Sequence, residues 1–296
     1  MLEDRLEGRV SRRNFLKLGL SLGLAALTGI TLFEEAEATK RKKTKVVKSK
    51  PEPTSYAKIP VPNLEYESLH AEVNLKGVQV AEVFSEYGRI QRTLRWKNIA
   101  EAVGHRYGVD PYILLGMIAQ ESMGDPTLPN LSGDGGAGLI HMQPLLTSMY
   151  GLKMITHSKK LRDFKQGHKI EAAINKTNGD LKDLIAYDDR LHPIKNIDAA
   201  ARMLCDLRQQ TSSWDKALER YAGRGTYNNK VKAFAKKMKD KKYLRKIEAD
   251  FNSRNATMHV DGKPLTFDRY LIIFHRQNDN YGLAAYRKLA QRRVKT

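Results

Sequence analysis

Tyr107-Gly108-Val109-Asp110-Pro111-Tyr112-Ile113-Leu114-Leu115-Gly116-Met117-Ile118-Ala119-Gln120-Glu121-Ser122-Met123-Gly124-Asp125-Pro126 is the stretch on which the fold turns. Gly108 is a stop signal for a preceding helix, whose apolar positions Ile99, Val103 and Tyr107 recur at helical spacing. Asp110-Pro111 pairs an acidic N-cap with proline at the first helical position. The spacing therefore predicts a helix from Pro111 to about Met123, ended by Gly124, Asp125 and Pro126. Leu114, Met117 and Ile118 line one face of it. Glu121, three residues after Ile118 and seven after Leu114, projects from the same face. A carboxyl on an apolar face is desolvated, which disfavours its charged form and raises its pKa. Such a group keeps its proton near neutral pH until it donates it, as a general acid must. The other reading is a glutamate at a helix end paired with a lysine.

Outward from this helix, residues 125–138 are rich in Gly, Pro, Asn and Asp and read as a loop. Gly133, Gly135, Gly136 and Gly138 fall within six positions of it. Glycine lets a backbone approach another body closely, and beside a buried acid a strand of sugar is a fitting body. Plain flexibility is the other reading. Helical spacing is also present from about residue 75 (Val80, Val83, Phe84, Tyr87), near Asn196 (Ile197, Ala200, Ala201, Leu204, Leu207), at 214–221 and over 228–249. Residues 151–190 are charged and weakly patterned. Asp261-Gly262, between Met258-His259-Val260 and Pro264-Leu265-Thr266-Phe267, predicts a short hairpin. Two last helices fit 268–276 and 280–293. The chain reads as mainly α, with no internal repeat.

The 296 residues carry a formal net charge of +19, which favours polyanionic partners. A single cysteine, Cys205, excludes an intrachain disulfide and sits in a helical apolar pattern, so it reads as a structural thiol. The eight histidines include no His-x-x-x-His pair, and there is no Cys-x-x-Cys, so no metal site is expected. No cofactor is implied either.

Residues 1–38 read as a targeting segment. Ser11-Arg12-Arg13-Asn14-Phe15-Leu16-Lys17 resembles a twin-arginine export motif. The apolar run from Leu18 to Phe33 is short of the about 20 residues a spanning helix needs. Ala36-Glu37-Ala38 supplies small residues for cleavage before Thr39, with an uncleaved anchor as the alternative. The segment holds five basic and six acidic residues, so its removal raises the formal charge from +19 to +20. Residues 39–63 form a linker: Lys40, Arg41, Lys42, Lys43, Lys45, Lys48 and Lys50 precede Pro51, Pro53, Pro60 and Pro62. Its charge fits an anionic wall polymer or membrane surface, or only a solvated spacer. Residues 64–238 are expected to form the main domain and 239–296 a helical C-terminal extension containing the hairpin.

An ordered set of motifs resembles the soluble-type lytic transglycosylases, relatives of goose-type lysozyme. The set runs Tyr107-Gly108-Val109-Asp110-Pro111, Ile118-Ala119-Gln120-Glu121-Ser122, Gly136-Ala137-Gly138-Leu139-Ile140-His141-Met142-Gln143-Pro144, Pro193-Ile194-Lys195-Asn196-Ile197 and Arg220-Tyr221-Ala222-Gly223. The similarity covers about 95–235. It implies a mainly α, lysozyme-like transglycosylase (SLT) domain. It gives Glu121 the catalytic role, Ser122 the positioning of the substrate's N-acetyl group, and Tyr221 a hydroxyl contact with the catalytic carboxylate. Gly138 and Leu139 match the loop lining the sugar cleft. Two departures stand out: Ile140-His141 replaces the usual Met-Gln, with Gln143 as a later glutamine, and Ala222 replaces an asparagine. His141 retains the capacity to hydrogen-bond sugar hydroxyls.

Glycosidases ordinarily use two carboxylates; the resemblance implies one. Glu121 would protonate the oxygen between N-acetylmuramic acid and N-acetylglucosamine, and the acetamido oxygen would stabilise the anomeric centre. The ionised Glu121 would then take the proton of the 6-hydroxyl, leaving a 1,6-anhydro end. Water attack, with Asp125 or Asp134 positioning the water, would make the protein a lysozyme-type muramidase. A non-catalytic wall-binding scaffold is a further reading, permitted by the altered Ile140-His141. A nucleic-acid binder is disfavoured, since basic charge comes without an aromatic recognition motif. The expected setting is the periplasm or cell envelope, the expected partner peptidoglycan glycan strands, and the expected state a monomer.

Overall fold

The computed structural model describes residues 77–274, except 83, 131–132, 178–180 and 224. The export segment, the basic linker and the helix expected at 280–293 lie outside the described residues. Helices dominate: α1 (Glu86–Thr93), a 3-10 turn (Leu94–Trp96), α2 (Lys97–Tyr107), α3 (Pro111–Glu121), α4 (Pro144–Met149), α5 (Phe164–Lys176) and α6 (Leu181–Tyr187). A second 3-10 turn (Asp189–Leu191) leads to α7 (Pro193–Thr211), α8 (Trp214–Ala222), α9 (Tyr227–Lys239) and α10 (Lys241–Arg254). Strands β1 (His259–Val260) and β2 (Lys263–Pro264) and helix α11 (Phe267–Phe274) follow. The strands pair antiparallel, Val260 opposite Lys263, across Asp261 and Gly262. Both turn residues take positive φ, 53° and 68°, which is the tight-hairpin geometry that Asp-Gly favours.

Helix α3 is the axis of the domain. Asp110 caps it through Tyr112 N–H at 3.0 Å, Pro111 opens it, and Gly108 ends α2 at φ 65°. Leu114, Leu115, Met117 and Ile118 are fully buried. Each such side chain contributes about 2 kcal/mol relative to exposure. α9, α2 and α1 pack against α3, and α7 packs against α8 and α2. At Gly116 an added Cβ would strike the Val231 carbonyl oxygen, so α3 and α9 meet backbone to backbone. Asp198 in α7 is fully buried; it accepts the Tyr107 hydroxyl at 2.8 Å and pairs with Arg202 at 3.0 Å. Cys205, half-buried, donates to the Tyr107 carbonyl. One hydrophobic core runs from Val78 to Ile273. A smaller one, Ala137, Ile170, Ile174, Leu184 and Leu191, lies beneath the glycine loop.

Three readings of the sequence change. The helix expected over Val80–Tyr87 starts only at Glu86, where Ser85 caps Gly88 N–H. The segment before it is drawn out of helical form by other partners: Gln79 N–H donates to Asn255 and Ala81 N–H to Gln91. The helical run over 228–249 is two helices, because Asp240 ends α9 and caps α10 through Lys242 N–H and Tyr243 N–H. The weakly patterned 151–190 holds α5 and α6. Among the described residues no helix is long and apolar enough to cross a membrane.

Candidate active site

Glu121 is the last residue of α3, and its side chain is 19% exposed. Everything behind it is held still. Ser122 N–H and hydroxyl both donate to the Ile118 carbonyl, at 3.1 and 3.3 Å. Met123 and Gly124 then take positive φ, 58° and 83°. Gly124 has no room for a Cβ, which would sit 2.6 Å from the Thr93 amide nitrogen. Arg92 donates to the Met123 carbonyl at 3.0 Å; Arg95 and Trp96 both donate to the Gly124 carbonyl at 2.8 Å. All three side chains are buried. Buried donors on buried carbonyls are costly to undo, so they fix the turn from which Glu121 extends.

The glycine loop is built around Asp134. This buried carboxylate accepts Asn130 at 2.9 Å, Gly136 N–H at 3.2 Å and Gln143 at 3.0 Å, with Arg162 at 3.8 Å. Arg190, fully buried, forks onto both oxygens of Asp188 at 2.9 and 2.7 Å and reaches the Gly135 carbonyl at 2.6 Å. Asn196 receives Ile140 N–H at 2.8 Å. The glycines serve close approach, but to the protein's own chain. A Cβ at Gly135 would sit 2.6 Å from the Asp163 carbonyl oxygen, and one at Gly138 (φ 86°) would strike the Arg190 carbonyl. Ala137 and Met142 bridge antiparallel, closing the tight loop that presents His141.

His141 is almost fully buried. Its Nε2 lies 3.1 Å from the Leu128 carbonyl oxygen and its Nδ1 3.7 Å from Glu121 Oε2. Burial lowers its pKa, against smaller opposing effects from the Leu128 carbonyl and Asp134. On the other side stand two tyrosines with ring centres 5.6 Å apart, Tyr221 in α8 and Tyr227 opening α9. Burial first and the Glu121 carboxylate second push both hydroxyls well above the ordinary tyrosine pKa. The Tyr227 hydroxyl also interacts with Glu121 as a hydrogen-bonding group, although it makes no hydrogen bond of full geometry. Both tyrosines therefore hold their protons more firmly than an exposed tyrosine does.

The structure brings Glu121, His141 and Tyr221 together, and Gln143 joins through Asp134. Ser122 is fully buried with its hydroxyl on its own helix, and Leu139 is fully buried in the core. Gly138 is a packing position against Arg190 and Asn196. Tyr227 is the residue whose part at the site the sequence reading missed; Asp134, read there as a group that could position a water, instead anchors the glycine loop. Tyr227-Asn228 follows six residues after Tyr221 and opens an amphipathic helix, which is the signal that would have found it. Among the described residues no group of three His, Cys, Asp or Glu side chains is placed to hold a metal ion.

A mainly helical domain thus sets one partly exposed carboxyl, Glu121, between an imidazole and two tyrosines. Residues 98–244, just under half of the chain, match the family model described as Transglycosylase SLT domain. Over these residues the chain is similar to that family. It is also 36% identical over 55 residues to the endo-type membrane-bound lytic murein transglycosylase A of two strains of Klebsiella pneumoniae. That match covers 19% of this chain and 26% of each relative, so the chain spans about a quarter of the length of the curated relatives it matches. No solved structure matches the chain.

Proposed function

We propose that the chain is a peptidoglycan lytic transglycosylase in which Glu121 is the single catalytic acid and base. The observation that carries this is the setting of Glu121 within an SLT domain: a carboxyl one-fifth exposed at the end of a buried helix, faced by His141 and two tyrosine hydroxyls. Protonated Glu121 gives its proton to the oxygen joining N-acetylmuramic acid to N-acetylglucosamine as the C1–O bond breaks. The substrate's acetamido oxygen shares its electrons with C1. The carboxylate, receiving the Tyr227 hydroxyl as donor, next takes the proton of the muramic 6-hydroxyl, and O6 bonds to C1. A 1,6-anhydro end results, and Glu121 is protonated again. Preorganised donors aimed at a charge that appears only in mid-reaction are an efficient source of catalysis. The carboxylates that would otherwise position a hydrolytic water are buried, Asp134 engaged as above and Asp125 with one oxygen held by Thr127 N–H and hydroxyl at 2.7 and 2.8 Å. This favours internal attack. His141 and Gln143 shape the sugar-binding side, and the buried Ser122, Gly138 and Leu139 support it from behind. The basic charge of the chain suits an anionic envelope, and the twin-arginine segment suits export to it.

Incubation of residues 39–296 with peptidoglycan and mass spectrometry of the released sugars tests the reading. Anhydro ends that vanish in Glu121→Gln are expected. Hydrated reducing ends would make the protein a muramidase, and wall binding without cleavage by either protein would make it a scaffold.

A further inference from the structure

The two ring nitrogens of His141 have different tasks. Nε2 lies 3.1 Å from the Leu128 carbonyl oxygen. A carbonyl only accepts, so Nε2 carries the hydrogen. A neutral ring then leaves Nδ1 bare, and Nδ1 is the atom 3.7 Å from Glu121 Oε2. The ring is neutral because it is buried, and burial outweighs the Leu128 and Asp134 effects that favour the cation. The single donor of the neutral ring is committed to Leu128, so it has none left for a sugar hydroxyl.

A bare imidazole nitrogen and a carboxylate oxygen repel, whereas a proton on the carboxyl turns the pair attractive. We propose that His141 is a positioning residue that holds Glu121 in its acid form before each turnover, by setting a lone pair and not a donor against Oε2. This rests on the catalytic role proposed for Glu121. The groups facing the carboxyl from the other elements divide in their effect. Tyr227, from α9, faces Glu121 as a hydrogen-bonding group and favours the carboxylate, while Tyr221, from α8, acts on it through the field alone. Asp134, from the loop, places its negative charge near His141 and Tyr221. Arg92 and Arg95, from the α1 side, are bonded to the turn carbonyls of Met123 and Gly124, and Asp125 to Thr127. One proton leaves Glu121 for the glycosidic oxygen and one returns from the 6-hydroxyl. His141 exchanges none, but its lone pair makes the intermediate carboxylate a keener base.

The test is the pH–rate profile of anhydro-sugar release by residues 39–296, wild type against His141→Gln, whose amide can donate to Oε2. The alkaline limb, which reports loss of the Glu121 acid form, is expected to move to lower pH by roughly one unit, a tenfold change in the protonation equilibrium, with KM within about twofold. A limb that stays in place while kcat falls at every pH overturns the proposal, as does a rise in KM alone, which would mark a sugar contact. If Glu121→Gln stays active, the catalytic reading itself fails. If Glu121→Gln is dead and the His141→Gln limb is unmoved, this inference alone fails. A measurement on the wild type removes dependence on folding of the variant. Nitrogen-15 shifts of the His141 ring should show a protonated Nε2 and bare Nδ1 at neutral pH, and an imidazolium or the opposite tautomer overturns the proposal.

Discussion

At the scale of residues, the site pairs a donor side with an acceptor side. Tyr227 is the donor that matters most, since its interaction with Glu121 includes hydrogen bonding while that of Tyr221 is through the field alone. Tyr227→Phe keeps the ring packing and removes the hydroxyl. A hydrogen bond to a charged group contributes about 1.5–3 kcal/mol, so kcat should fall about 10- to 100-fold with KM little changed. Tyr221→Phe should cost less. Initial rates of glycan release from both variants decide it, and equal losses would return the leading role to Tyr221. Glu121 was legible in the sequence because its placement follows from local rules: a capped start, an apolar face and a glycine stop. Tyr227 was not legible as a site residue, because what makes it one is proximity to Glu121, which is distant in sequence. His141 was legible as a candidate, but not its tautomer, which the Leu128 carbonyl fixes from 13 residues away.

Elements explain why the glycine loop keeps its shape. Gly133 and Gly138 both have positive φ, 69° and 86°, but differ in surroundings. Beyond Gly133 the nearest atom to an added Cβ is a Phe164 ring carbon at 4.0 Å, whereas at Gly138 the Arg190 carbonyl and the Asn196 amide occupy the space. Gly133→Ala should therefore cost only backbone strain, about 1 kcal/mol. Gly138→Ala adds a clash with backbone that Arg190 itself anchors through Asp188, for a loss of about 3 kcal/mol or more. It should also displace His141, three residues on, and lower activity beyond what the stability loss explains. Denaturant unfolding and glycan release on the two variants check this; equal effects would show that the loop tolerates rearrangement. The same elements mark what spacing can reveal. Asp261-Gly262 gave its hairpin away because the turn is coded by two adjacent residues. Helix α5 was hidden because only Gln166, Ile170 and Ile174 are buried along its 13 residues. The periodicity of Val80–Tyr87 misled because Asn255 and Gln91 compete for its amides.

On the scale of the whole molecule, residues beyond the family match bear on the site through packing. Phe251 of α10 is fully buried, with Tyr270 of α11 at 4.7 Å and Phe267 at 5.4 Å between ring centres. Helix α11 packs on the 3-10 turn Leu94–Trp96, and that turn supplies the Arg95 and Trp96 donors which hold Gly124, three residues after Glu121. A path of contacts thus leads from the C-terminal elements to the turn beneath the Glu121 carboxyl. Phe251→Ala opens a cavity in the shared core and should cost about 3–5 kcal/mol, lowering the thermal midpoint by roughly 10 °C. Because the core is continuous from Val78 to Ile273, unfolding should remain a single transition seen alike by tryptophan fluorescence, which reports Trp96 and Trp214, and by helical circular dichroism. A separate early transition, with glycan release unchanged below it, would show the C-terminal elements to be an independent unit that leaves the Gly124 turn untouched. A single lowered transition with kcat reduced before unfolding begins would show that these elements hold the Gly124 turn in place.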